Sequence, residues 1–170
     1  MVGTFAPRTP RSIVLRLAVL SIGKLKAGPE KTIADEYQLR LEGLGRKAGI
    51  TGLTVSDFAE SQAQTAAQRM QDESRLLATS ASTIVLDERG NPLSSGDFAK
   101  LLQRHLDHGT RELAFLIGGP DGHAPQLRQN AGQLLSFGPM TWPHRLVRVM
   151  LFEQIYRAVT ILVNHPYHRP

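Results

Sequence analysis

The chain has 170 residues, of which 41% are hydrophobic and 21% charged, with 20 lysines and arginines against 15 acids. This length and balance fit one globular domain with a buried core and exclude a disordered segment. The chain contains no cysteine. Disulfide frameworks, thiolate zinc sites, iron-sulfur ligation and cysteine nucleophiles are therefore excluded, which fits a cytoplasmic protein.

The longest apolar run, residues 13–22, is interrupted by Arg16. It is far shorter than the ~20 residues needed to cross a bilayer, and no small-residue cleavage site follows it. We therefore predict neither a membrane helix nor a signal peptide. Residues 1–14 begin with a segment rich in Pro, Arg and Thr, so we expect a flexible extension there and a single domain over residues 15–170.

Apolar, β-branched runs alternate with stretches of helical period along the chain. This pattern predicts five strands, at residues 13–22, 52–55, 83–86, 113–117 and 134–140. It also predicts helices at residues 30–44, 62–78 and 97–108, and a short helix before the fifth strand. Strands separated by helices cannot pair as hairpins. We therefore predict an α/β fold with a mainly parallel sheet of five to six strands and helices on both faces.

Capping residues predict where the helices begin. Ser61 is the expected N-cap of the second helix, and Ser95 or Gly96 that of the third. The last helix is expected to start after Thr141, to hold Pro143 in its first turn and to end near residue 163.

The last helix carries two polar pairs at a spacing of four residues, which places each pair on one face. Glu153 and Arg157 are in the favourable acid-first order, typical of a surface ion pair. His144 and Arg148 repel each other when both are charged, so we expect them to share an anionic neighbour.

Positive charge is concentrated at the two ends of the chain. Residues 1–26 carry five basic side chains and no acid, and residues 140–170 carry four arginines against one glutamate. The two ends are expected to build one basic surface for a polyanion. A solvated basic face without a partner is an equally good interpretation.

Two loops follow predicted strands at the edge where parallel sheets bind ligands, residues 86–90 and 117–122. Three glycines in the second loop let the backbone approach a ligand closely, although a simple turn is the commoner interpretation. The dinucleotide fingerprint, the phosphate loop and the serine-hydrolase elbow are absent from the sequence. His165 and His168 have metal-like spacing, but Pro166 breaks the helix and further ligands are missing, so no metal site is predicted.

Four motifs occur in a fixed order: Gly118-Gly119-Pro120-Asp121-Gly122; Met140-Thr141-Trp142-Pro143-His144; Leu146-Val147-Arg148-Val149 with Glu153-Gln154-Ile155-Tyr156-Arg157-Ala158; and Asn164-His165-Pro166-Tyr167-His168-Arg169. Together they resemble the RlmH family, pseudouridine-N3 methyltransferases of the large ribosomal RNA that belong to the SPOUT class. The resemblance runs from about residue 15 to residue 169. It implies a C-terminal trefoil knot, a homodimer, and action on the assembled ribosome in the cytoplasm.

The resemblance also implies S-adenosylmethionine as the cofactor, from which a methyl group passes to N3 of a pseudouridine. Backbone groups and apolar side chains are expected to hold it, with the aromatic segment before the last helix as a slot for adenine. The expected cofactor-binding residues are Leu86, Gly118, Phe137, Gly138, Pro139, Met140, Thr141 and Trp142.

The methyl group of a sulfonium is already activated, so the protein must align it with N3 and help the N3 proton to leave. Arg148 is the candidate to stabilise negative charge on the uracil carbonyls or to hold a phosphate. His144 or His168 is the candidate base, while Glu153 either orients an arginine or is itself the base. The tail residues Tyr167, His168 and Arg169 are expected to bind an unstacked base.

Two other interpretations stay open on the sequence alone. A catalytically inactive RNA- or ribosome-binding protein of the same fold would neither bind S-adenosylmethionine nor transfer a methyl group. A nucleotide-binding α/β enzyme unrelated to methylation would bind ATP or a nicotinamide cofactor instead.

Overall fold

The computed structural model describes residues 14–169. Its strands are β1 (Leu15–Ile22), β2 (Ile50–Phe58), β3 (Ser82–Pro92), β4 (Glu112–Ile117) and β5 (Gln133–Ser136). Its helices are α1 (Pro29–Leu44), α2 (Ala66–Leu76), α3 (Ser95–Asp107), α4 (Pro125–Gln129) and α5 (His144–Leu162), with a 3-10 turn (Gly45–Ala48) after α1. The predicted extension lies, apart from Val14, outside the described residues.

The strands form one five-stranded sheet in the order β2-β1-β4-β3-β5, and every pair of neighbours is parallel. The prediction of a parallel α/β sheet is confirmed. Each parallel connection needs a crossover, and the helices supply these crossovers.

Helices cover both faces of the sheet, as predicted. Alternate residues of β4 point to opposite faces, so Leu113 and Phe115 join the core under α1, α3 and α5. Leu116 faces the other way, into a smaller cluster that contains Leu77 after α2 and Leu127 of α4. The two-sided burial explains why the β4 sequence is a continuous apolar run rather than an alternating one.

The predicted N-caps of α2 and α3 are wrong by a few residues. Thr65 caps α2, since its side chain accepts a hydrogen bond from the backbone of Gln68 at 3.2 Å. Ser61 lies four residues earlier and donates its backbone N–H to a side chain of α2 instead. Ser94, rather than Ser95 or Gly96, caps α3.

The start of α5 also differs from the prediction. The helix begins at His144, Pro143 is its N-cap, and Thr141 lies outside the helix. The fifth strand ends at Ser136 instead of continuing to residue 140. The Ser136 hydroxyl accepts a hydrogen bond from Gly138 N at 3.1 Å, and Gly138 has a φ of 109°, which turns the chain away from the sheet.

β3 is longer than predicted because it pairs with β5 at two places. Leu86 pairs with Leu135, and after a register shift Asn91 pairs with the same residue. The intervening residues, 87–90, therefore bulge out of the ladder. At Gly90 a side-chain carbon would lie 2.6 Å from the carbonyl carbon of Leu135, so only glycine lets the backbones meet there.

The central turns of α5 are expected to provide much of the stability, because Leu151 is fully buried. Leu151→Ala should lower the free energy of unfolding by about 2–5 kcal/mol through lost burial and a cavity. Leu146→Ala on the same helix is the matched control, since Leu146 is 39% exposed and should change stability by about 0.5 kcal/mol or less. Urea denaturation measures both, and equal losses would contradict the assigned core.

Candidate active site at the carboxyl edge of the sheet

A cleft of about 550 Å³ opens at the bulge of β3 and at the carboxyl ends of β4 and β5. These strands are neighbours in the sheet, so the bulge and the loops that follow β4 and β5 meet at one edge. The walls are residues 86–89, residues 117–123 and the segment from Leu135 to the start of α5. The volume lies in the range of small-molecule sites, about 300–1,000 Å³.

Most of the predicted cofactor-binding residues line this cleft. Those that do are Leu86, Gly118, Phe137, Gly138, Met140, Thr141 and Trp142. Pro139 is exposed and does not line it. These residues belong to three segments that lie far apart in the sequence, and the fold brings the segments together.

The glycine loop (residues 118–122) is a tight turn that an ion pair with α2 holds in place. Gly122 N donates to Gly119 O at 2.9 Å, with Pro120 at the second position of the turn. The Asp121 carboxylate accepts hydrogen bonds from Arg69 Nε at 2.6 Å and from its Nη2 at 3.0 Å. The guanidinium lowers the pKa of the Asp121 carboxyl, and this two-pronged ion pair ties the turn to α2.

His123 is a functional candidate that the sequence analysis missed. It is buried in the cleft wall, with Nε2 3.1 Å from the carbonyl oxygen of Leu86. Its Cε1 would lie 3.1 Å from a side-chain carbon at Gly118, so the ring also packs on that residue. Burial lowers the pKa of His123, which favours a neutral ring that donates to the carbonyl. One imidazole therefore links Leu86 of β3 with Gly118, which directly follows β4.

A charged pair lies beside this histidine. The Asp87 carboxylate is 95% shielded from solvent, accepts a hydrogen bond from Arg89 N at 2.9 Å and lies 3.7 Å from Arg128 Nη1. Arg128 in turn donates to the carbonyl of His123 at 3.1 Å. The cleft floor thus combines apolar side chains with a few fixed polar groups, as ligand sites do.

His144 and Arg148, predicted to act together, take different positions. His144 is half-buried and lines the cleft. Arg148 is 2% exposed and does not line it. Its guanidinium donates to Asp57 Oδ2 and to Gly23 O, each at 3.0 Å. The anionic neighbour that we expected is therefore, for Arg148, a carboxylate of the chain itself.

The same carboxylate organises the loop after β1. Asp57 also accepts a hydrogen bond from Leu25 N at 3.3 Å. A side-chain carbon at Gly23 would lie 3.0 Å from His144 Nε2 and 3.3 Å from Glu60 Oε1. Gly23, with a φ of 87°, therefore lets the loop turn closely against the start of α5.

Glu153 lies away from the cleft. It forms the predicted ion pair with Arg157, whose Nε donates to Oε1 at 2.8 Å, and it accepts a hydrogen bond from the Tyr167 hydroxyl at 3.1 Å. Its carboxylate lines a second, mainly apolar groove of about 520 Å³.

The C-terminal tail packs on α1 and α5. The Tyr167 hydroxyl lies 3.3 Å from that of Tyr37, and its ring meets Tyr156 edge-on with centroids 4.9 Å apart. Burial, followed by the hydrogen bond to Tyr37, raises the pKa of Tyr167, so the hydroxyl stays protonated. His168 is half-buried and Arg169 exposed. Within the described residues, none of these three lines the cleft.

The two basic ends of the chain meet beside the cleft, through the hydrogen bond from Arg148 to Gly23 O. Lys24 and Lys26 are exposed there, and across residues 14–169 neither has a carboxylate within ion-pair distance. Arg145 is exposed nearby, 3.8 Å from Glu30. Of the basic side chains counted in the sequence, Lys24, Lys26 and Arg145 are therefore exposed near this contact, while Arg148 is buried and paired with Asp57.

Two further observations concern the part of the chain that the structure describes. In residues 14–169, no three metal-binding side chains cluster in a geometry that could hold a metal ion. None of the helices in this range combines the length and the apolar character that a membrane span requires.

Residues 15–168 match a family model described as predicted SPOUT methyltransferase. The chain belongs to the SPOUT methyltransferase family, so the resemblance identified from the motifs is confirmed, and the trefoil knot is implied by that membership. The chain is 51% identical over 159 residues to a Rhodopseudomonas palustris (strain BisB5) protein named ribosomal RNA large subunit methyltransferase H, covering 91% of this chain and 99% of that one.

A second curated relative carries the same name. A protein of the same name from Bradyrhizobium sp. (strain ORS 278) is 46% identical, with 91% of this chain and 98% of that protein covered. Among solved structures, the chain is similar to the SpoU methyltransferase AviRb from Streptomyces viridochromogenes, in complex with AdoMet, with a TM-score of 0.41, 14% identity, and 96% of this chain and 63% of that chain covered.

The methyl donor of this family is S-adenosylmethionine, and the cleft fits it. Leu86, Phe137 and Trp142 line it and would supply apolar surface for the adenosine. Gly138 has a positive φ and nothing within 4 Å of its missing side chain, so its backbone is open to a ligand. Asp87 places a carboxylate near the site of a cationic cofactor.

Arg148 is expected to support the fold of the loop after β1. Arg148→Ala leaves the Asp57 carboxylate without its partner and should lower the free energy of unfolding by about 2–4 kcal/mol. Arg145→Ala, at an exposed arginine on the same helix, should change it by about 0.5 kcal/mol or less. Urea denaturation compares the two. Unchanged stability with lost methyl transfer would instead make Arg148 a catalytic group.

Proposed function

We propose that this protein methylates ribosomal RNA, transferring a methyl group from S-adenosylmethionine to N3 of a pseudouridine in the large subunit of the assembled ribosome, in the cytoplasm. The observation that carries the proposal is the 51% identity over 99% of a protein named ribosomal RNA large subunit methyltransferase H. The geometry supports it, because the cleft brings together the residues that the motifs singled out.

Cofactor binding is assigned to three segments, the bulge of β3 and the segments that follow β4 and β5. When bound, S-adenosylmethionine supplies a methyl group on a positively charged sulfur. Gly118 and Gly138 offer backbone to it, while Phe137, Met140 and Trp142 exclude water from its apolar parts. The protein contributes mainly position, since a fixed donor and acceptor react much faster than free ones.

His144 is the proposed base for the N3 proton. It is the one predicted catalytic residue, among those the structure describes, that lines the cleft. An imidazole titrates near neutral pH and can accept a proton there. Its position at the start of α5 and against Gly23 restricts the ring to the cleft mouth.

Arg148 is proposed as a positioning residue rather than as a group that contacts RNA. It joins α5 to the loop after β1 through Asp57 and Gly23. That loop carries Lys24 and Lys26, which are exposed and can contact phosphates of the RNA. The basic surface therefore provides affinity for the RNA, while the cleft holds the groups that take part in methyl transfer.

A homodimer is proposed to complete the site. Tyr167 is bonded to Tyr37 and Glu153, away from the cleft of its own chain. Large apolar side chains are exposed around the cleft mouth, with Met140 at 68%, Trp142 at 39% and Leu146 at 39%, which is typical of an interaction surface. A second copy seated there would bring its tail to the substrate.

The reaction is tested with ribosomes from a strain that lacks this modification. Incubation with radiolabelled S-adenosylmethionine should label one pseudouridine of the large-subunit RNA at N3, identified by mass spectrometry of nuclease fragments. His144→Ala should reduce the rate by about 10²–10⁴-fold if the imidazole is the base. Absence of both cofactor binding and methyl transfer in the wild type would favour the inactive RNA-binding alternative.

The tail is expected to act in the neighbouring protomer. Deleting residues 167–170 should abolish methyl transfer but leave the affinity for S-adenosylmethionine within a few fold. Mixing this deletion with His144→Ala should restore about a quarter of the activity, because half of randomly mixed dimers then hold one complete site. Restoration is measured after refolding the two variants together. No recovery in dimers shown to be mixed would contradict a shared site.

A further inference from the structure

Glu73 of α2 is a buried carboxyl group to which the mechanism above assigns no role. It is 2% exposed, and its Oε1 accepts a hydrogen bond from Ser61 N at 3.0 Å. Its Oε2 is buried and has no hydrogen-bond partner among the described residues. An unpaired buried oxygen costs free energy, so its presence in a well-packed region calls for an explanation.

The carboxyl group occupies the space into which a side chain at Gly119 would point. A Cβ at residue 119 would lie 2.8 Å from Glu73 Oε2, 3.2 Å from its Oε1 and 3.0 Å from Ile22 Cγ2. Gly119 is not among the glycines with positive φ, so its backbone conformation admits alanine. Close packing, chiefly on Glu73 and also on Ile22, and not backbone strain, therefore requires glycine at this position.

This contact lies on the side of the glycine loop that faces away from the cleft. Gly119 lines the cleft, whereas Glu73 and Ile22 do not. A substitution that acts through the Glu73 contact thus leaves the cleft surface itself unchanged. The same turn is tied to α2 a second time, two residues further on, by the ion pair of Asp121 with Arg69.

We propose that Glu73 is a positioning residue for cofactor binding, which holds the glycine loop against the cleft by packing its carboxyl group on Gly119 from behind. The inference rests on the proposed function, in which this loop contacts S-adenosylmethionine. Helix α2 then fixes the turn at two points. Arg69 holds Asp121 by charge, and Glu73 supports Gly119 by close packing.

The surroundings of Glu73 favour its uncharged form. Burial raises its pKa, the hydrogen bond from Ser61 N opposes this, and the carboxylates of Asp121 and Glu60 add to the increase while Arg69 reduces it. These groups face Glu73 from the glycine loop, from the segment after β2 and from its own helix. A neutral acid can lie on the backbone of Gly119 without the desolvation cost of a buried carboxylate.

The direction of the pH dependence follows from this raised pKa. A group with a higher pKa in the folded protein than in the unfolded chain stabilises the fold fully below its unfolded value. That contribution is lost as the pH rises through the folded value. Support of the glycine loop, and with it cofactor affinity, should therefore weaken toward alkaline pH.

The first experiment measures the affinity for S-adenosylmethionine by calorimetry, with thermal unfolding of every variant as the check on folding. Glu73→Gln keeps the shape and the acceptor for Ser61 N and should bind within threefold of the wild type. Glu73→Ala should bind at least tenfold more weakly. Gln71→Ala, at an exposed position of the same helix, is the matched control and should bind normally. The alkaline loss of affinity should disappear in Glu73→Gln.

An infrared measurement tests the protonation state without any ligand. In a pH titration the wild type should keep the carbonyl band of a buried carboxylic acid to a higher pH than a solvent-exposed glutamic acid does, because burial raises the pKa of Glu73, and Glu73→Gln should remove that band. A band that persists in Glu73→Gln, or a wild type with no such band, would overturn the neutral acid.

The second experiment adds side-chain volume at residue 119 and removes it at residue 73. Gly119→Ala should weaken binding at least tenfold, because its methyl group meets the carboxyl of Glu73. Adding Glu73→Ala makes room for that methyl group, so the double variant should bind more tightly than Gly119→Ala alone. If the losses of affinity in the two single variants simply add in the double variant, or if Glu73→Ala binds normally, the inference is wrong but the proposed function stands. Absence of binding by the wild type would overturn the proposed function and the inference together.

Discussion

The parallel alignment of β3, β4 and β5 is the constraint on which the site depends. Leu86 pairs with Ile117 on one side and with Leu135 on the other, so the bulge of β3 begins beside the ends of β4 and β5. The bulge and the segments that follow β4 and β5 therefore meet at that edge. Because β4 is buried on both faces, the apolar core and the position of the cleft are determined together.

Polar groups support this edge from outside the cleft. Arg69 with Asp121 ties the glycine loop to α2, and Arg148 with Asp57 ties the loop after β1 to α5. Loss of one partner leaves a shielded charge uncompensated, which makes such pairs strong supports of a single geometry. His123 provides a neutral support between the strand ends. Because the two ion pairs and His123 hold the site in one geometry, only a few residues need to contact the substrate.

The cleft and the C-terminal tail lie at separate places in the molecule. His144 and the cofactor segments lie at one edge of the chain, whereas Glu153 and Tyr167 form a separate cluster with Tyr37. Under the proposed function, a single copy therefore holds two parts of the active site that do not touch. Assembly of two copies would make activity depend on dimerisation, and the exposed apolar side chains at the cleft mouth are consistent with that arrangement.

The sequence by itself determined the α/β class, the glycine loop and the aromatic segment before α5, because apolar runs, glycines and short motifs are local signals. Only the tertiary structure decided the partners. Asp57 lies 91 residues from Arg148, and Asp121 lies 52 from Arg69, and no local pattern encodes such contacts. The spacing of Arg148 from His144 therefore indicated a shared anion but could not identify that partner as Asp57. The buried Glu73 could not be distinguished from the neighbouring Asp72, which is only half-buried, because burial is a property of the whole fold.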